Sequence, residues 1–269
     1  MPRSSGAAVP QPSQEKTEDP VTVLVTGFGP FLEKYPTNSS WSIASTLPAI
    51  LPATPLHPTP IRIIVHHEPI RVAYHAVTDT IPAIIDSCAP KPDIVFHIGL
   101  AAGRTFYTLE RGAHRTGYNS IPDVDGRLFS EAEVAARWPH LPPILKTAFK
   151  TDDVWRRWRA QLPDSNIDIR PSEDAGNFMC GFIYYNTLAH FYEQKDEERP
   201  VTFLHVPNLP TKKDVDQGRE VACALIRAMV DSRREHGVTD GIAEKLVNRA
   251  AEIVANKDEG PKTDVNFVA

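Results

Sequence analysis

Short apolar runs alternate with amphipathic stretches along most of the chain. VTVLVT (21–26) is a β-branched run closed by GFGP, as in a buried parallel strand that enters a tight loop. NSSWSIASTL (38–47) opens on capping residues and predicts a helix, stopped by the prolines at 48, 52, 55, 58 and 60. IRIIVHH (61–67) and DIVFHIG (93–99) are the next two strands. Between them Pro82 suits the first turn of a helix that carries Ile81, Ile84, Ile85 and Cys88. Residues 106–150 mix short apolar pieces with Gly and Pro, and yield only loops and a hairpin. Phe182, Tyr185, Ala189 and Tyr192 recur at helical spacing, which starts a helix close to Cys180. VTFLHV (201–206) is a fourth strand, followed by a helix with Ala222, Leu225, Ile226 and Met229. Strands alternating with helices predict an α/β fold, a three-layer sandwich whose mostly parallel central sheet is flanked by helices. Its ligand site belongs at the carboxyl ends of the strands.

The ends change the picture. Residues 1–20 hold four prolines and little apolar surface, so they read as a disordered tail. Residues 21–230 form a single domain, and 231–269 a charged extension with one amphipathic stretch at 242–254. The 269 residues are 41% hydrophobic and 8% aromatic, enough for one core. The 25 prolines predict many rigid loops. A net charge of −5 provides no basic field, so neither nucleic acid nor an anionic membrane is an expected partner. Three widely spaced cysteines form no disulfide framework, and no signal segment or bilayer-long apolar run is visible. A reducing, cytoplasmic location is the expectation, and the oligomeric state is left open.

Several familiar chemistries fail on spacing. GxGxxG would need glycine where Leu32 stands, and GxxxxGK[ST], HExxH and GxSxG are absent. His66 and His67 are adjacent on a strand and should point to opposite faces. No cofactor and no metal are therefore expected. Cys180 is the stronger candidate: SEDAGN before it supplies loop chemistry, and a thiol at a helix N-terminus is favoured as thiolate. Cys88 and Cys223 lie on apolar helix faces and read as core residues. A cysteine hydrolase needs a base, and His205 lies where a parallel sheet delivers functional groups. Glu110 could return to the same rim to orient the imidazole, or equally pair with Arg104 or Arg111.

These residues sit in blocks that resemble the pyroglutamyl peptidase I family of cysteine peptidases. VLVTGFGPF with NSSW resembles its opening strand and substrate loop, HIGLAAGRTFYTLERGA its glutamate signature, and SEDAGNFMC with FLHVP its cysteine and histidine blocks. The blocks keep the family's order across about 21–229. The resemblance implies a cysteine exopeptidase that removes N-terminal pyroglutamate from a peptide substrate by thiol acyl transfer. Cys180 would be the nucleophile, His205 the general base and later acid, and Glu110 its orienter. Phe28, Phe31 and Phe178 would line the lactam pocket, with Asn38 nearby. Leu100 stands where the family commonly has glutamine, and Gly181 where asparagine often follows the nucleophile. The rival readings are a same-fold hydrolase drifted to another cyclic amide or small acyl group, and a silent ligand-binding relative.

Overall fold

The computed structural model describes residues 19–31, 34, 36–162, 166–194 and 199–237. In chain order the elements are β1 (Val21–Gly27), α1 (Ser39–Ala44), β2 (Ile50–Leu51), β3 (Ile61–Val65), α2 (Tyr74–Ser87), β4 (Ile94–Leu100), β5 (Tyr107–Glu110), β6 (Gly112–His114), α3 (Glu131–Arg137), β7 (Ile144–Lys146), α4 (Thr151–Gln161), β8 (Ile169–Ser172), α5 (Met179–Glu193), β9 (Val201–Val206) and α6 (Lys212–His236). The main sheet runs β2-β3-β1-β4-β9-β5-β8, and β6 and β7 form a separate antiparallel pair. Within the main sheet β3, β1, β4 and β9 are parallel, as are β5 and β8. The antiparallel pairings are β2 with β3 and β5 with β9. This is the expected three-layer α/β sandwich.

The layers follow from the alternation of strand side chains. Leu24, Val95 and Phe203 pack with α2 and α5 on one face. Val23, Phe96 and Leu204 pack with α1, α4 and α6 on the other. The strands β1, β4 and β9 are apolar on both faces because helices cover both, so they read as nearly continuous runs.

Several elements depart from the sequence reading. Pro82 lies in the middle of α2, not in its first turn, because the helix already starts at Tyr74. That start has no cap of its own: the Tyr74 N–H donates to Asp123 Oδ2 at 2.9 Å, from a loop 49 residues downstream. β3 ends at Val65, so His66 and His67 lie past the strand and do not point to opposite faces. Their rings meet edge to face with centroids 4.4 Å apart, and His66, His67 and Glu68 bring donor atoms within 4.8 Å of one another. Residues 106–150 are more than loops and a hairpin: they contribute β5 to the main sheet as well as the β6–β7 pair and α3. Trp138 packs edge-on against Tyr185 in one core while Tyr107 and Leu109 are buried in the other, so this region joins both cores. The expected N-terminal tail, up to residue 18, and the amphipathic stretch 242–254 lie outside the described residues. No described helix is long and apolar enough to cross a membrane.

Candidate active site

Cys180 is the second residue of α5, a helix that opens after the loop 173–178. Two close approaches hold this corner. A Cβ on Gly181 would stand 1.9 Å from the Gly176 carbonyl oxygen, and one on Gly99 would stand 2.8 Å from Cys180 Sγ. Glycine at 181 thus lets the loop fold against the helix start, and glycine at 99 lets the thiol rest on β4. Register then supplies the neighbour, since Gly99 is paired with His205 on β9.

His205 is 2% exposed, and its Nδ1 lies 2.8 Å from Glu110 Oε1. The way Glu110 gets there was not legible in the chain. Strand β5 runs against β9, with Thr108 opposite His205 and Glu110 opposite Phe203. The glutamate therefore comes up from beneath the rim, one same-face position deeper than the histidine, and is fully buried. Of the two arginines weighed as partners, Arg111 pairs with Asp152 and Glu173 instead. Arg104 does reach Glu110, with Nη1 3.0 Å from Oε1, so Glu110 serves the histidine and an arginine together. Burial works to raise the Glu110 pKa. The hydrogen bond and charge of His205, followed by the charge of Arg104, outweigh it and hold the carboxyl below the ordinary glutamate value. An ionised carboxylate only accepts, so Nδ1 of His205 carries the proton and Nε2 is the basic nitrogen.

A second strand histidine shows the contrast. His97 on β4 is also buried, yet its two nitrogens contact the hydroxyls of Thr26 (2.7 Å) and Thr187 (2.9 Å). Without an anion beside it, burial drives its pKa down to about 3.

The aromatic candidates gather around the same corner. Phe178 precedes α5 directly, and its ring lies 5.8 Å from that of Phe31, tilted by 41°. Phe28 is buried at the end of β1, bridged to Ile70, and its N–H donates to Ser40 Oγ. Asn38 caps α1 through Oδ1 and donates from Nδ2 to the Gly29 carbonyl at 3.0 Å, which ties the GFGPF loop to the helix. Sequence reasoning missed Thr108 and weighed Arg104 only as an alternative to His205; they stand two and six residues before Glu110, a spacing that carries no signal until β5 is known to be a strand.

The pyroglutamyl peptidase family model matches residues 21–234. The chain is similar to pyroglutamyl-peptidase 1 of Homo sapiens, 29% identical over 209 residues that cover 78% of this chain and 90% of the relative. It is likewise similar to pyrrolidone-carboxylate peptidase of Bacillus subtilis (strain 168), 29% identical over 70% of this chain and 79% of the relative. Among solved structures, pyrrolidone carboxyl peptidase from Thermococcus litoralis superposes with a TM-score of 0.62 at 20% identity, covering 80% of this chain and 96% of that one. The enzyme from Pyrococcus furiosus gives 0.61 at 20% identity, covering 78% and 99%.

Proposed function

We propose a residue-level mechanism that starts from ancestry: the chain belongs to the pyroglutamyl peptidase family and is a cysteine peptidase that removes N-terminal pyroglutamate. Cys180 is the nucleophile, His205 the base and then the acid, and Glu110 the group that orients His205. The observation that carries these roles is the buried His205 Nδ1–Glu110 Oε1 hydrogen bond, on the strand position paired with the glycine over which Sγ rests.

The steps follow from that arrangement. Nε2 of His205 takes the thiol proton, and the thiolate attacks the pyroglutamyl carbonyl carbon. First-turn amides at a helix N-terminus point outward, so the start of α5 offers donors to the developing oxyanion. The C–N bond breaks as the imidazolium returns its proton to the leaving amine, which leaves a thioester on Cys180. His205 then deprotonates water, water attacks the thioester, and the thiol is restored as pyroglutamate leaves. Phe28, Phe31 and Phe178 supply flat apolar walls for the lactam ring, and Asn38 holds the loop that carries two of them. Such walls suit a substrate end that has no ammonium group to pair with an anion. None of the three cysteines is joined in a disulfide, which supports a reducing, cytoplasmic setting.

A fluorogenic pyroglutamyl amide tests the substrate. The protein should release the fluorophore from it and discriminate by about 10- to 150-fold or more against the same amide built on proline, which has the ring but lacks the lactam carbonyl. Equal rates on the two would favour the drifted-hydrolase reading.

A further inference from the structure

We propose that Arg104 is a positioning residue of the catalytic set, holding the Glu110 carboxylate ionised and turned toward His205 through the whole reaction cycle. The inference rests on the roles assigned above to Glu110 and His205. Three donors converge on a single oxygen, Glu110 Oε1: Thr108 Oγ1 at 2.7 Å, His205 Nδ1 at 2.8 Å and Arg104 Nη1 at 3.0 Å. Arg104 Nη1 also lies 2.5 Å from Thr108 Oγ1, so the hydroxyl accepts from the arginine and donates its one proton to the carboxylate. The Arg104 side chain is itself only 15% exposed, and Glu110 is fully buried.

The need for a second cation follows from the chemistry. A fully buried carboxylate is costly to keep ionised without a positive partner. His205 is such a partner only while it is imidazolium. It is neutral before it takes the thiol proton and again after the leaving amine departs. A guanidinium keeps its charge in every one of these states. Arg104 therefore keeps Glu110 an acceptor when His205 is neutral, which fixes the Nδ1–H tautomer for the next proton transfer. Arg104 approaches from the β4–β5 loop at the rim while Glu110 lies below it, so the pair also ties that loop to the sheet. A tie alone would affect stability without touching proton chemistry, and this separates the two roles.

The experiment compares the full-length protein with Arg104→Met, Arg104→Lys and Arg104→Gln. It uses the pH dependence of turnover on the pyroglutamyl amide and the pH dependence of Cys180 alkylation by iodoacetamide. Removing the cation lets Glu110 protonate at higher pH. Arg104→Met should thus lower kcat by about 10- to 100-fold, leave KM within about 3-fold, and move the acid limb of kcat/KM upward. Its Cys180 alkylation should also require higher pH, because a protonated Glu110 stabilises imidazolium less. Arg104→Lys should recover most of the rate and the acid limb. A wild-type acid limb and alkylation profile in Arg104→Met would overturn the proposal. If that variant does not fold, Arg104→Gln, which keeps a polar donor but removes the charge, should move both profiles upward in the same way; unchanged profiles there would equally overturn the proposal. Failure of the wild type to cleave the amide would instead overturn the substrate assignment, while the alkylation profiles, which need no substrate, would still decide the role of Arg104.

Discussion

The three thiols differ because of what surrounds them. Cys88 closes α2, where burial raises its pKa; Cys223 lies on the covered side of α6, where burial pushes it up to about 11 against the pull of Arg219 and Arg227. At neutral pH both are protonated and poor nucleophiles. Cys180 stands at a helix start, beside the strand that carries the Glu110-bound histidine. Cys180→Ala should therefore lower turnover by at least about 10³-fold with the fold intact, whereas Cys88→Ala and Cys223→Ala should keep kcat and lose modest stability. Steady-state assays paired with urea titrations of the three variants check this. Glycine at 181 also has a local cause in the approach of the Gly176 carbonyl.

At the scale of elements, helix starts show how far local signals reach. α1, α3 and α6 take caps from their own Asn38, Ser130 and Thr211, the last two in capping boxes, although only the cap of α1 was read from the chain. For α2 the acceptor is Asp123, which also binds the N–H groups of Asp125 and Arg127 through Oδ1 at 2.9 Å each. One side chain therefore shapes a loop and starts a distant helix. Asp123→Ala should cost about 2 kcal/mol, as the loss of a buried cap does, and Asp123→Asn less, since it keeps an acceptor. The measurement is the urea midpoint of each variant at constant m-value. A cost within error of zero for Asp123→Ala would mean that packing alone starts α2.

For the molecule as a whole, the sheet carries a pH-sensitive core. His97 is neutral in the fold with a pKa of about 3, against an ordinary 6.5 when unfolded. Because the folded value is depressed, the unfolded chain binds the extra proton first as pH falls, so stability is lost below about 6.5. The histidine component should remove about 2 kcal/mol between pH 6.5 and 5, before most carboxylates titrate. Unfolding of the wild type and of His97→Gln, followed across that range, should show a shallower slope in the variant. Equal slopes would assign the acid sensitivity elsewhere.

Much of this protein was legible in the chain. The strands β1, β4 and β9 announce themselves because they are buried on both faces and so are apolar throughout. The placement of Cys180 at a helix start and His205 near a strand end follows from the same local patterns. The region 106–150 was not legible, because β5, β6 and β7 have only three or four residues each, too few for a periodic signal. Direction was equally hidden: that β5 runs antiparallel to β9 is a fact of sheet pairing, and it alone brings Glu110 beneath His205. Arg104 and Thr108 then meet the carboxylate for the same reason. His97 and His205 look alike in sequence, each in an apolar run. Only the tertiary structure gives one a pair of hydroxyls and the other a buried anion, and the charge a histidine can hold is set by that partner.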